Sequence, residues 1–201
     1  MRRRSAALAL FALGLVPLAL PADACALKFG TSPSLPALPN VTLNAKPQTT
    51  NAKMTNFSVQ ESALESQGWN VTVAGQSGTG KSAVFKQYCP SAKCGTDPEG
   101  YVSGGQTLPA KSLTLNTTGA SFTGGSGATP AFQCSSGCSV DSASAVNIAS
   151  KAEGLTVLGG TWTTTGFSST SLALSTATTL KVLPASEEYR VNILWTLSTG
   201  P

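Results

Sequence analysis

Hydrophobic residues recur at every second position near the end of the chain. From Tyr189 to Leu197, Tyr189, Val191, Ile193, Trp195 and Leu197 alternate with Arg190, Asn192 and Thr196, and only Leu194 breaks the pattern. Successive side chains of a strand point to opposite sides, so these five residues share one face of a half-buried antiparallel strand over Glu188 to Leu197. Trp69, Val71 and Val73 repeat the device in Trp69-Asn70-Val71-Thr72-Val73. Shorter runs predict strands over Val41 to Ala45, Met54 to Val59, Ser112 to Leu115, Leu155 to Leu158, Ser171 to Leu174 and Thr179 to Leu183. Within them Leu113 and Leu115, Leu155 and Val157, Leu172 and Leu174, and Leu180 and Val182 fall on common faces.

Many short strands separated by Gly, Ser, Thr and Asn, with few helix formers, predict an all-β fold. The expected form is an antiparallel β-sandwich or a barrel-like sandwich with a Gly/Ser/Thr-rich loop region. Abundant threonine agrees with this through its preference for a pleated surface. The stretch from Cys89 to Cys138 is the least regular, with Gly100, Gly104, Gly105, Gly119, Gly124, Gly125 and Gly127 permitting turns while offering little to bury. Ser142 to Glu153 is ambiguous: its alanines favour a helix, and Val146 and Ile148 a strand. Trp162, in Gly159-Gly160-Thr161-Trp162-Thr163, is read as a loop residue and as the most exposed of the three tryptophans.

The opening residues carry an export signal. Arg2, Arg3 and Arg4 form a basic segment, Ala6 to Leu20 an apolar one, and Ala22 and Ala24 occupy the −3 and −1 positions of a cleavage site. The expected organisation is a signal peptide at 1–24, an extended Pro/Ser-rich lead-in at 25–39 and a β domain at 40–201. Cleavage after Ala26 fits the same rule. The apolar run is short for a membrane-spanning helix and no second one follows, so no transmembrane segment is expected in the mature chain.

Export bears on the five cysteines. An oxidising compartment favours two disulfides among Cys89, Cys94, Cys134 and Cys138, and sequence proximity favours the two local pairs among three connectivities. Cys25 is the odd one. It leaves with the signal if cleavage follows Ala26; cleavage before it would make it a lipidation candidate, although Ala22-Asp23-Ala24 is a poor lipobox.

Charge and composition exclude several chemistries. Removing Arg2, Arg3, Arg4 and Asp23 from the 13 basic and 9 acidic residues leaves a mature net charge of +2 with scattered lysines. No basic stripe is present, and nucleic acid is not an expected partner. The chain contains no histidine, which removes the commonest general base and zinc ligand together. Gly75-Gln76-Ser77-Gly78-Thr79-Gly80-Lys81-Ser82 matches the phosphate-binding loop pattern letter for letter and follows a predicted strand. It is read as a chance match in a hairpin loop. Only Ala83 to Cys89 precede Pro90, too few for the helix that should face the phosphates, and the surrounding pattern is antiparallel. Gly75, Gly80, Lys81 and Ser82 are therefore not assigned to a nucleotide.

The cysteine spacing permits a zinc site, but disulfides take precedence outside the cell, and neither metal nor cofactor is expected. Of the carboxylates, Glu187 and Glu188 would face opposite ways on a strand. Asp97 and Asp141 are placed in polar loops, and none of the acidic residues is expected in an apolar setting. A serine nucleophile would need lysine as its base, and no motif supports one. No enzymatic activity is expected.

The two tryptophan strands and their surroundings resemble the WxL domain of bacterial surface proteins. The resemblance rests on Val41-Thr42-Leu43, Phe57-Ser58-Val59 and Gly68-Trp69-Asn70-Val71-Thr72-Val73, on the variable Gly/Ser/Thr-rich middle, and on the closing Tyr189–Leu197 stretch with Trp195-Thr196-Leu197 running to Gly200-Pro201. It covers roughly residues 40–201 and departs from the family's usual pattern at Val71, where leucine is common. The resemblance implies non-covalent attachment to the bacterial cell wall, with peptidoglycan as ligand, and adhesion or assembly with other surface proteins. It directs attention to Trp69, Trp195 and Leu197, with Trp162 as the exposed aromatic. Tryptophan faces stack on sugar C–H surfaces, although a Trp sharing a face with Val191 and Ile193 is more simply a core residue. The expected location is secreted and envelope-associated. A structural subunit assembling through strand edges is the alternative function, and a small exported hydrolase a more distant one. No sorting tail is read after Pro201, so covalent wall anchoring is not expected.

Overall fold

A computed structural model describes residues 27–62, 67–90, 100–154 and 159–200. They form strands β1 (Lys28–Thr31), β2 (Gln48–Ala52), β3 (Ser58–Glu61), β4 (Trp69–Gly75), β5 (Lys86–Cys89), β6 (Gly100–Tyr101), β7 (Leu113–Leu115) and β8 (Ser121–Gly124). They continue as β9 (Ala131–Phe132), β10 (Cys138–Ser139), β11 (Val146–Lys151), β12 (Gly160–Thr165), β13 (Leu172–Thr176), β14 (Glu188–Arg190) and β15 (Ile193–Thr199). The strands pair antiparallel in four sheets: β1-β3-β12-β8, β15-β4-β11-β9, β10-β7-β13-β2 and β14-β5-β6. No sheet closes into a barrel, and the architecture is sandwich-like. The described residues contain no helix, so none that could cross a membrane.

Alternation sets the core. In β4, Trp69, Val71, Val73 and Gly75 are buried while Asn70, Thr72 and Ala74 between them are partly exposed. The buried face of β4 meets the β1-β3-β12-β8 sheet through aromatic rings. Trp69 packs edge-on against Phe122 at 5.8 Å, Phe57 against Phe122 at 6.1 Å, and Phe122 stacks on Phe132 at 4.6 Å. These are the offset and perpendicular arrangements that ring quadrupoles favour. Leu113 and Leu115 of β7 pair with Leu174 and Leu172 of β13 and carry the apolar interior into the third sheet.

A charged pair lies inside this apolar interior. Glu61, at the end of β3, accepts a hydrogen bond from Trp69 Nε1 and pairs with Lys151 Nζ at 3.0 Å, both charged side chains being 1% exposed. Trp69 and Lys151 are themselves register partners across β4 and β11. The carboxylate thus ties the first sheet to the second.

Several expected elements differ. Val41 to Ala45 and Thr179 to Leu183 are not strands. Pro39 and Pro184 flank these runs and both lie beside a groove, where the chain lines an opening instead of joining a ladder. Of the strand expected over Met54 to Val59, pairing begins only at Ser58, although Met54 and Phe57 are buried. Within Ser142 to Glu153 the chain is strand over β11, where Val146 pairs with Val73 of β4 and Ile148 is buried at an irregularity of that ladder. The irregular middle contains the short strands β6 to β10, and the lead-in contributes β1, paired with β3. Leu155 to Leu158 lie outside the described residues.

The stretch predicted as one strand over Glu188 to Leu197 is two. Glu188–Arg190 pairs with β5, and Ile193–Thr199 with β4. Asn192 makes the transfer: its backbone N–H donates to Ser82 O at 2.8 Å, and its side-chain oxygen accepts from Ser82 N at 3.1 Å and from the Tyr101 hydroxyl at 2.6 Å.

Replacing Glu61 by Ala should destabilise the fold by about 3–5 kcal/mol, since a buried charge pair is broken by removing one member. Replacing the pair together, Glu61→Leu with Lys151→Met, should recover most of that loss. Urea unfolding measures both; a loss below about 1 kcal/mol for the single variant would place the pair with exposed ion pairs instead.

Candidate functional site

The same alternation that fills the core leaves one apolar face half-covered. Tyr189, Val191, Ile193 and Trp195 project on one side across the β14–β15 junction and line a groove of about 960 Å³. Leu35 to Val41 and Leu180 to Ala185 form its other walls, and its floor reaches Leu113, Leu172 and Leu174 of the third sheet. The Tyr189 hydroxyl donates to Lys181 O at 3.1 Å and ties the second wall to β14. Lys181, Glu187, Glu188 and Arg190 add charge to the lining. The Arg190 guanidinium lies 4.5 Å over the Tyr88 ring, which meets Tyr101 edge-on at 5.1 Å, and Gln87 Nε2 donates to Glu187. Burial pushes both Tyr101 and Tyr189 above the ordinary tyrosine value, and Arg190 opposes the shift at Tyr101.

The three tryptophans have different fates. Trp69 is fully buried. Trp162 is also buried, at 4% exposure, against the expectation that it is the exposed one. Its Thr-rich neighbours place it in β12, between β3 and β8, with Val59 and Gly124 as register partners. Gly125, at φ 60°, lies against the indole so closely that a Cβ there would stand 2.1 Å from Cε2. A glycine-rich loop is therefore the lid of this tryptophan. Trp195 alone is half-exposed and reaches the groove, its ring 6.5 Å from Phe57.

The structure does bring the two tryptophan motifs together. Leu197 is the register partner of Val71, and Trp195 of Val73, so both motifs share one face of one sheet. Trp69 lies opposite Thr199, four positions from the Trp195–Val73 pair, a separation of roughly 13 Å along the strand.

Cys134 and Cys138 form a disulfide with Cα atoms 5.3 Å apart, closing a turn in which Gly137 N–H donates to Cys134 O at 3.0 Å. Cys89, fully buried at the end of β5, is also disulfide-bonded. Cys94 and Cys25 lie outside the described residues.

The loop that matches the phosphate-binding pattern leaves β4 and runs to β5, with no helix after it. Lys81 N–H donates to Gly78 O at 3.0 Å in a tight turn, and the Ser82 hydroxyl donates to Val84 O at 2.7 Å. Gly75 is needed for packing, since a Cβ there would lie 2.1 Å from Ala83 O. Gly80 takes a φ of 68° in open space.

Among the described residues two carboxylates are buried, Glu61 and Asp141, contrary to the expectation that no acidic residue sits in an apolar setting. Glu61 is held as described. Asp141 is fully buried, and its carboxylate accepts from Ser112 N at 2.9 Å and Leu113 N at 3.0 Å. Burial raises its pKa above the ordinary 3.8, and those backbone bonds oppose the shift. Its oxygens are occupied in ordering the start of β7, which is a structural task. The described residues hold no group of three or more His, Cys, Asp or Glu that could bind a metal ion.

Comparison with protein-family models, with curated proteins and with solved structures finds no match.

The groove assignment predicts the fluorescence behaviour. Trp195 should supply the acrylamide-quenchable emission, so Trp195→Phe should remove most of it. Trp69→Phe and Trp162→Phe should leave it in place; quenching that survives in the Trp195 variant would relocate the accessible aromatic.

Asp141 makes a second prediction. A raised native pKa means that its contribution to stability is fully present below the unfolded carboxylate value and is lost as pH rises through the native one. The stability of the parent protein relative to Asp141→Asn should therefore fall across that window on going from acid toward neutral pH. Denaturant midpoints at several pH values measure it, and a difference that is flat or rises with pH would contradict the assignment.

Proposed function

We propose that this chain is an exported, non-enzymatic module of the bacterial envelope that binds cell-wall glycan non-covalently, as the resemblance to the WxL domain implies. The observation that carries the reading is the groove beside Trp195. An indole face and the Tyr189 ring offer flat apolar surface to sugar C–H groups, and Arg190, Glu187, Glu188 and Lys181 offer hydrogen-bond donors and acceptors to hydroxyl, amide and carboxylate groups. Its volume, about 960 Å³, falls in the range of pockets that accommodate a small ligand or a few linked residues of a polymer. Within this reading Trp195 and Tyr189 make the contact. Trp69, Trp162 and Leu197 support the sheet that presents it.

Retention of the purified protein on isolated, protein-free cell walls tests the proposal. Saturable retention above a folded unrelated β-protein is expected, with Trp195→Ala and Arg190→Ala each weakening it roughly tenfold, equivalent to about 1.4 kcal/mol. The far-ultraviolet circular dichroism of both variants should match the parent. Retention no greater than the control overturns wall binding, and retention indifferent to both substitutions moves it away from the groove.

A further inference from the structure

β15 is the outer strand of the β15-β4-β11-β9 sheet, and all seven of its residues pair with β4 in continuous register. Two hydrogen bonds at the ends of this ladder fix which backbone groups face inward. Gln76 N–H donates to Asn192 O at 2.8 Å, and Gly200 N–H to Gly68 O at 2.7 Å. Antiparallel ladders alternate, so Leu194, Thr196 and Ser198 exchange their bonds with β4, and the N–H and C=O groups of Ile193, Trp195, Leu197 and Thr199 point away from it. Among the described residues no hydrogen bond reaches those outward groups.

Open edges in monomeric proteins are normally blunted by charge, proline, a bulge or shortness. The other outer strands follow that pattern. β1 carries Lys28 and a register shift, β14 carries Glu188 and Arg190, and β6, β9 and β10 have two residues each. β2 and β8 are short and mostly polar. β15, Ile-Leu-Trp-Thr-Leu-Ser-Thr, has no charge, no proline and no bulge, and its inner face is only half-buried.

We propose that β15 is a self-pairing edge. Two copies of this chain join β15 to β15 in antiparallel fashion about a two-fold axis centred on Thr196, which extends each four-stranded sheet into a single one of eight. Full overlap of Ile193–Thr199 with its own copy places Trp195 opposite Leu197 of the second copy and Ile193 opposite Thr199 of the second copy. These are the residues with outward backbone groups, so every one of those groups gains a partner. On the inner face each indole covers the other copy's Leu197, the kind of aromatic–aliphatic cross-strand pair that stabilises sheets. No like charges meet. A second copy therefore supplies the whole complement of the edge, and the inference does not depend on what the groove binds.

Thr196 is exposed, faces away from the core and would sit opposite itself in a non-hydrogen-bonded pair, with Cα atoms roughly 4.5 Å apart. Light scattering on the purified protein over a hundredfold concentration range should show a monomer–dimer equilibrium. Thr196→Lys should raise the dissociation constant at least tenfold, with circular dichroism unchanged. Thr196→Cys should form an interchain disulfide under mild oxidation, because that separation suits the bond; the parent protein controls for its other cysteines. A parent protein that is monomeric throughout, whether or not another protein's strand occupies β15, overturns the proposal. So does a dimer untouched by Thr196→Lys that fails to cross-link through Thr196→Cys.

Discussion

A carboxylate enclosed by apolar side chains sets the geometry of this molecule. Glu61 leaves the first sheet at the end of β3 and meets, in the second sheet, an indole N–H from β4 and an ammonium from β11. Desolvating those charges is costly, and mutual attraction offsets the cost only at close range and in correct orientation. A slip of β3 by one residue would turn Glu61 outward and leave the Lys151 charge facing oil. The aromatic contacts of Phe57, Phe122 and Trp69 favour closure of the sandwich without specifying register. The ion pair supplies that specification. It sits where Trp69 and Lys151 are already register partners, so a single carboxylate fixes three strands relative to one another.

Much of this was legible from periodicity alone. The alternation in Trp69–Val73, Leu113–Leu115 and Leu172–Leu174 identified three strands and their inner faces, because burial on one side of a strand needs only local sequence. Periodicity identifies faces and does not identify partners. Tyr189, Val191, Ile193 and Trp195 do share one side, as their spacing requires, yet the chain changes sheets between Val191 and Ile193. The signal for that change was a single Asn in an apolar run. Its side chain can satisfy the backbone where a ladder is interrupted, and Asn192 does so at Ser82. That partner is 110 residues away, which no local pattern encodes.

Trp162 and Asp141 were misplaced for related reasons. Gly159-Gly160 reads as a loop, but both glycines take positive φ at the entry to β12, of which Gly160 is the first residue. The cover over the indole comes from Gly125, chosen for the side chain it lacks. Burial by another segment's glycine leaves no hydrophobic trace in the sequence. Asp141 sits among serines and so looks solvated; its burial follows from the two backbone N–H groups at the start of β7 that need an acceptor. The Lys81 and Ser82 loop joins β4 directly to β5, and Lys81 N–H closes a tight turn on Gly78 O.

The groove and the open edge have a common origin. On the inner face that β14 and β15 share, Trp195 and Ile193 remain half-buried, while Val71 and Val73 of the neighbouring β4 are sealed. A strand placed outside β15 would supply the missing neighbours for Leu197 and one flank of Trp195. It would leave Tyr189, Val191 and the Lys181 wall untouched, because these belong to the other side of the Asn192 junction. The two apolar exposures are therefore separable. Occupying the edge need not empty the groove, and the junction at Asn192 lets one short polar step divide a single hydrophobic face into two surfaces with different demands. A ligand of the groove, as proposed, would need polar groups to meet its charged rim. The edge calls for a backbone.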